Sequence, residues 1–145
     1  MVSIRIRRLD EGASLADAFD VRTRVFIEGQ DVSEELEMDG KDEAARHVVA
    51  YEGEKPVGTA RLRSPDPGVA KIERVAVLDD YRHSGVGTAL MDAIEEVARE
   101  EGLDRAVLHA QTRVEPFYAK LGYERTSDEV FEEADIPHVE MAKPL

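Results

Sequence analysis

The stretch from Val75 to Thr88 constrains the fold more than any other part of the chain. Val75-Ala76-Val77 is a β-forming run, Asp79-Asp80-Tyr81 is a short loop, and Gly85 and Gly87 open a long segment with an apolar stripe. The pattern reads as strand, turn, helix. Backbone N–H groups at a helix N-terminus lack partners within the helix and carry partial positive charge. Glycines let a ligand approach that backbone closely, and Arg82 adds a full positive charge beside them. A phosphate or pyrophosphate suits such a turn. Three narrower readings compete. A dinucleotide fingerprint wants a third glycine where Leu90 stands, and a nucleotide-triphosphate loop wants Lys-Ser/Thr where Thr88-Ala89 follows Gly87. The third is a glycine turn that merely starts a helix.

The rest of the chain supplies a sheet for this turn. Ile4 and Ile6 alternate with Arg5 and Arg7, as in a strand. Leu15, Ala18, Phe19, Arg22, Val25 and Phe26 follow helical spacing behind Ser14, a candidate N-cap. Residues 30–45 are acidic and weakly patterned and read as loop with one helical turn. His47–Tyr51 and Pro56–Arg63 read as a hairpin, and Val69–Leu78 as a long strand. A helix is expected from about Gly85 to Glu101, stopped by Gly102, with Val86, Ala89, Leu90, Ala93, Ile94, Val97 and Ala98 along one stripe. A strand over Arg105–Ala110, a short helix over Glu115–Leu121 and one or two C-terminal strands complete the order. The expected class is mixed α/β, a sheet covered by helices. With 145 residues and no repeat or linker, residues 1–145 are read as one domain.

Charge and composition exclude several functions. Lys+Arg is 19 and Asp+Glu is 32, a net charge of −13. Such a mean field repels phosphate polymers, so neither nucleic acid nor an anionic membrane is an expected partner. The absence of cysteine removes disulfide frameworks, thiolate zinc sites and cysteine nucleophiles. It fits a reducing cytoplasm, and the alternating apolar and basic N-terminus from Met1 to Arg8 lacks a signal peptide's apolar stretch. The expected location is cytoplasmic. Acidity with mostly Arg among the bases resembles proteins adapted to high salt; an ordinary acidic cytosolic protein is the other reading.

Two signatures, Arg82–Gly87 after the β-forming run and Phe117–Tyr123 some thirty residues on, together resemble the GNAT N-acetyltransferases. Arg82-His83-Ser84-Gly85-Val86-Gly87 is similar to that family's Arg/Gln-x-x-Gly-x-Gly/Ala loop, which wraps the pyrophosphate of acetyl-coenzyme A. Phe117-Tyr118-Ala119-Lys120-Leu121-Gly122-Tyr123 looks like the family's Phe-Tyr-x-x-x-Gly-Phe. The signatures occur in the family's order with a strand between them. Val21-Arg22-Thr23-Arg24-Val25-Phe26, Lys71–Val77, His109-Ala110-Gln111 and Ile136-Pro137-His138 narrow the resemblance to the small ElaA-like branch. That branch often has Glu-Gln where this chain has Glu28-Gly29-Gln30. The resemblance implies a largely antiparallel central sheet, splayed at the cofactor-binding strand. It implies that the backbone of Val75, Ala76 and Val77 pairs with the pantetheine arm. The loop Arg82–Gly87 with Thr88 would hold the pyrophosphate, and Gln111 and Phe117 would join the cofactor site.

Acetylating an amine requires removing its proton, polarising the thioester and protonating the departing thiolate. Glu73 is the first candidate base. It lies on the long strand, by period two on the same face as Val75 and Val77, where desolvation would raise its pKa. The alternative for Glu73 is an ion pair with Arg61 across the strand. Tyr118 is the candidate acid, since a phenol can donate a proton and the resemblance carries that role onto it; the alternative is a tyrosine capping the core. His109 and His138 are candidates for lining the amine pocket or for acting as the base; the alternative for each is a satisfied polar residue near the core edge. Arg22 and Phe26 are assigned to the pocket on the ElaA-like resemblance. The four histidines lack metal-ligand spacing, so no metal is expected. The expected activity is acetyl-coenzyme A-dependent acetylation of a primary amine on a small molecule or peptide, by a monomer or homodimer. The alternative is an acyl-coenzyme A sensor without turnover.

Overall fold

The computed structural model describes residues 3–9 and 14–145, so Met1 and Val2 of the N-terminal reading lie outside the described residues. The strands are β1 (Ile4–Leu9), β2 (Arg46–Glu52), β3 (Lys55–Arg63), β4 (Val69–Val77), β5 (Arg105–Gln111), β6 (Glu124–Arg125), β7 (Phe131–Glu133) and β8 (Ile136–Pro144). The helices are α1 (Ala16–Arg22), α2 (Glu34–Glu37), α3 (Val86–Glu100) and α4 (Glu115–Lys120). Strands β1 to β4 form an antiparallel meander, α3 crosses over to place β5 parallel to β4, and β8 returns antiparallel to β5. Both β6 and β7 pair with β8.

Each face of the sheet is covered because the strands alternate. Ala60, Leu62, Ala70, Ile72, Ala106, Leu108, Val139 and Met141 point to one side, where the α3 stripe of Val86, Leu90, Met91 and Ile94 meets them in the main core. On the other side Val49 and Tyr51 pack on Ala18 of α1, and Ala76 packs on Val21 and Val25. The expected helix after Ser14 starts later and continues differently. Leu15 occupies the cap position without a side-chain bond, the Ser14 hydroxyl accepts from the Ala16 N–H at 3.2 Å, and the helix widens into a π-helical turn over Thr23–Glu28. The acidic loop does contain one helical turn, α2, capped by the Ser33 hydroxyl.

Two irregularities in β4 shape the site. First, Thr59 faces Ala76 while Arg61 faces Glu73, so Ala60 alone stands opposite both Arg74 and Val75. This is a β-bulge, and Arg74 adopts a left-handed backbone with φ 55° to make it. The extra residue reverses the alternation. Ala70 and Ile72 face α3 before it; Val75 and Val77 face α3 after it. Glu73 therefore does not share a face with Val75 and Val77, as period two had suggested, but points to the α1 side. Second, β4 and β5 pair only from Val69–Arg105 to Ile72–Leu108, although both strands run further. Beyond that rung they diverge.

Candidate active site

The divergence opens a cavity of about 840 Å³ that runs from the α1 side of the sheet to the start of α3. One half is built for a polar, extended ligand. The exposed strand edge of Val75, Ala76 and Val77 forms one wall, and Arg82, His83, Gly85, Gly87 and Thr88 lie at its end. Gly85 caps α3 with φ 89°, a conformation that a β-carbon would strain. Its carbonyl accepts from Ala89, so the N–H groups of Val86, Gly87 and Thr88 have no partner within the helix. A β-carbon at Gly87 would come within 3.1 Å of the Phe117 ring, so this glycine also lets the aromatic close over the helix start. His83 is left-handed at φ 63° and completes the turn.

The side chains in the loop divide. Arg82 lines the cavity, donates to the Val77 carbonyl at 3.2 Å and pairs with Asp79. Asp79 is 83% exposed, so this pair is weak and yields readily to a stronger anion. The Ser84 hydroxyl instead donates to the Tyr81 carbonyl, and the Val86 side chain is buried in the core; neither lines the cavity. Only their backbone can serve a ligand. Gln111 lines the cavity, donates to Gln30 at 2.9 Å and accepts from Arg113 at 2.9 Å. Gln30 is a lining residue that sequence reasoning left unassigned. Its signal was the departure Glu28-Gly29-Gln30 itself.

Tyr118 stands at the waist of the cavity on α4, edge-on to Phe117 at 5.0 Å and to Tyr123 at 6.0 Å. It is 8% exposed, and burial pushes its hydroxyl well above the ordinary phenol range. The group therefore stays protonated and can donate.

The half on the α1 side holds the acceptor candidates. Phe26, His109 and His138 line it, together with Glu73, Glu133 and Lys71. Arg22 does not. Its side chain is 1% exposed and pairs with Glu37 and with Asp42 at 2.6 Å, so it is a buried strut rather than a pocket residue. Helical spacing could not tell an arginine facing the loop from one facing a pocket. Arg61 is equally buried and bonds Asp39, Asp42 and Glu73 at 2.9 to 3.0 Å. These pairs pin the segment that carries Glu37, Asp39 and Asp42 over the sheet.

Glu73 departs most from expectation. Its carboxylate accepts from Arg61 at 2.9 Å and from Arg63 at 2.6 and 3.2 Å, with Lys71 at 3.7 Å. Burial pushes its pKa up, but the two guanidiniums outweigh burial and bring it down to about 2. The expected rise is corrected, because desolvation raises a carboxyl only when no cation answers it. The ion pair with Arg61 exists, and Arg63 strengthens it. Among the described residues no cluster has the makings of a metal site, and no helix is long and apolar enough to cross a membrane.

The geometry has close counterparts. A family model described as an acetyltransferase (GNAT) domain matches residues 11–145. The uncharacterized N-acetyltransferase YjcF of Bacillus subtilis is 45% identical over 129 residues, 89% of this chain and 91% of that one. A solved Lactobacillus plantarum structure superimposes with a TM-score of 0.90 at 30% identity, over 99% of both chains. The crystal structure of Escherichia coli ElaA gives 0.85 at 28% identity, over 97% of this chain and 99% of that one.

Proposed function

Because the chain belongs to the GNAT acetyltransferase family and its ElaA-like branch, we propose that it transfers an acetyl group from acetyl-coenzyme A to a primary amine of a small molecule or peptide. The observation that carries this reading is the open edge of Val75–Val77 leading to the uncapped N–H groups of α3. An extended pantetheine arm fits the edge as an added strand, and a pyrophosphate fits the helix start beside Arg82. The residues present therefore suit the cofactor, which would supply an acetyl thioester.

Val75 has no partner on β5, so its backbone edge is open to a thioester oxygen in the split. Tyr118 donates a hydrogen bond to the departing sulfur. Its raised pKa makes proton transfer to a thiolate, ordinarily near 8.5, uphill by itself, so the step goes forward only because it is coupled to loss of the acidic proton on the newly acylated nitrogen. As the N–C bond forms and the C–S bond breaks, the Tyr118 proton passes to sulfur. The phenolate recovers a proton from the acylated nitrogen. Glu73, held ionised by two arginines, is an electrostatic anchor rather than the base.

That last feature also favours one other reading, an acyl-coenzyme A sensor, because it removes one of two residues that argued for turnover. Thiol release against a panel of primary amines, with coenzyme A affinity measured in parallel, separates the two. Amine-dependent release supports transfer; tight coenzyme A binding without release on any amine supports the sensor.

A further inference from the structure

Past the last rung between β4 and β5, Glu73 on β4 and His109 on β5 are the first residues with no partner across the split, although each still pairs on its other side, with Arg61 and Glu140. They point to the same face, because their predecessors Ile72 and Leu108 pair and both face α3. Two titratable groups thus flank the vertex from which an amine must approach the thioester. Their surroundings differ. Glu73 receives three hydrogen bonds from arginines. His109 faces a carboxylate: its Nδ1 lies 3.0 Å from Glu133 Oε1 on β7. Phe131 packs edge-on against the imidazole at 5.1 Å and stacks on His138 at 6.2 Å. His109, Glu133 and His138 all line the cavity.

Resting on the acetyl-transfer reading, we propose that His109 is the general base that takes a proton from the acceptor ammonium, and that Glu133 is its positioning residue. A carboxylate at Nδ1 fixes the tautomer that carries its proton there and leaves Nε2 as the acceptor. It also stabilises the imidazolium once formed. The ammonium gives one proton to Nε2, leaving a neutral amine with a lone pair for the thioester carbon, and the imidazolium later gives that proton to water. Of the two groups at the vertex, Glu73 is tied up as an anion by three arginine hydrogen bonds, whereas the imidazole of His109 offers a ring nitrogen that can accept a proton. Around His109 the charged neighbours are Glu133 on β7, Glu140 at 3.8 Å from Nε2 and His138 on β8, and Lys71 and Glu73 on β4.

The test uses the full chain and an amine that the wild type acetylates. His109→Gln should lower kcat roughly 10²–10⁴-fold, the range for losing a general base, with coenzyme A affinity and thermal stability near wild type. Added imidazole should restore part of the rate to His109→Ala. Glu133→Gln should shift the acidic limb of the kcat/KM–pH profile downward by about one unit or less, because removing the carboxylate disfavours the imidazolium. A structural role would not move that limb. Wild-type rate and an unchanged limb in His109→Gln overturn the proposal while leaving acetyl transfer intact. A limb that vanishes in Glu73→Gln instead also overturns it. Wild-type protein that binds coenzyme A yet turns over no amine overturns both readings together.

Discussion

Ile72 stands opposite Leu108 in the last rung that joins β4 to β5, and everything the site does begins one residue beyond that pair. Both side chains are anchored in the core under α3, so the rung acts as a fixed vertex. Past it, strand edges that would ordinarily be satisfied by pairing are left open, which is tolerable only where a ligand or water completes them. The bulge at Arg74 lies two residues from this vertex and turns Val75 and Val77 toward α3, leaving Glu73 and Ala76 on the other face.

The loop assignment predicts cofactor affinity. Arg82→Glu replaces an attractive charge by a repulsive one beside the α3 N-terminus and should weaken acetyl-coenzyme A binding at least tenfold, since a charge-assisted bond contributes roughly 1.5–3 kcal/mol. Gly85→Val should do comparable harm by a different route: nothing lies within 4 Å of a β-carbon there, but φ 89° is forbidden to valine. Calorimetric titration reads both, and unchanged affinity in both variants removes the loop from the cofactor site.

Glu73 now carries a stability prediction. Its pKa falls from 4.5 to about 2 on folding. A carboxyl lowered in this way stabilises the folded state above its unfolded pKa, and the contribution fades as pH drops from about 4.5 toward about 2. Glu73→Gln leaves Arg61 buried with one partner fewer and should cost roughly 3 kcal/mol at neutral pH. Urea unfolding at several pH values should show the gap between variant and wild type narrowing below about pH 4.5. A gap independent of pH would mean that the carboxylate's charge is not what Arg61 and Arg63 hold.

Arg22 is expected to matter for folding and not for substrate. Arg22→Leu removes one of the two cations that answer each of the buried carboxylates Glu37 and Asp42, leaving only Arg74 and Arg61 to them, and should destabilise by about 3 kcal/mol. At a temperature where the variant is still folded, its KM for the amine should stay near the wild-type value. A stable variant with a greatly raised KM would return Arg22 to the pocket.

Tyr118→Phe keeps the ring that packs between Phe117 and Tyr123 and removes the donor. kcat should fall while coenzyme A still binds. The loss should shrink with a thioester whose thiol has a lower pKa, because that leaving group needs less help. Equal losses with both thioesters would leave Tyr118 as a packing residue.

Local chemistry made much of this protein legible in its sequence. The α3 stripe, the glycines at 85 and 102 and the β-forming run before Tyr81 are short-range signals, and each element they mark is present. The composition of the cofactor loop is likewise a local property, since a helix start with glycines and an arginine offers the same dipole and charge in any fold. What the sequence could not reveal depends on residues far apart along the chain. Period two put Glu73 with Val75 until one left-handed residue reversed the alternation, and nothing local marks Arg74 as that residue. Desolvation argued for a raised Glu73 pKa, but the sign was decided by Arg61 and Arg63, which only strand register brings to it. His109 and Glu133 are separated by most of the C-terminal region and meet because β5 and β7 both flank β8. A side chain's identity sets what it can donate or accept; which partner answers it, and so which form it keeps, is decided by tertiary contact.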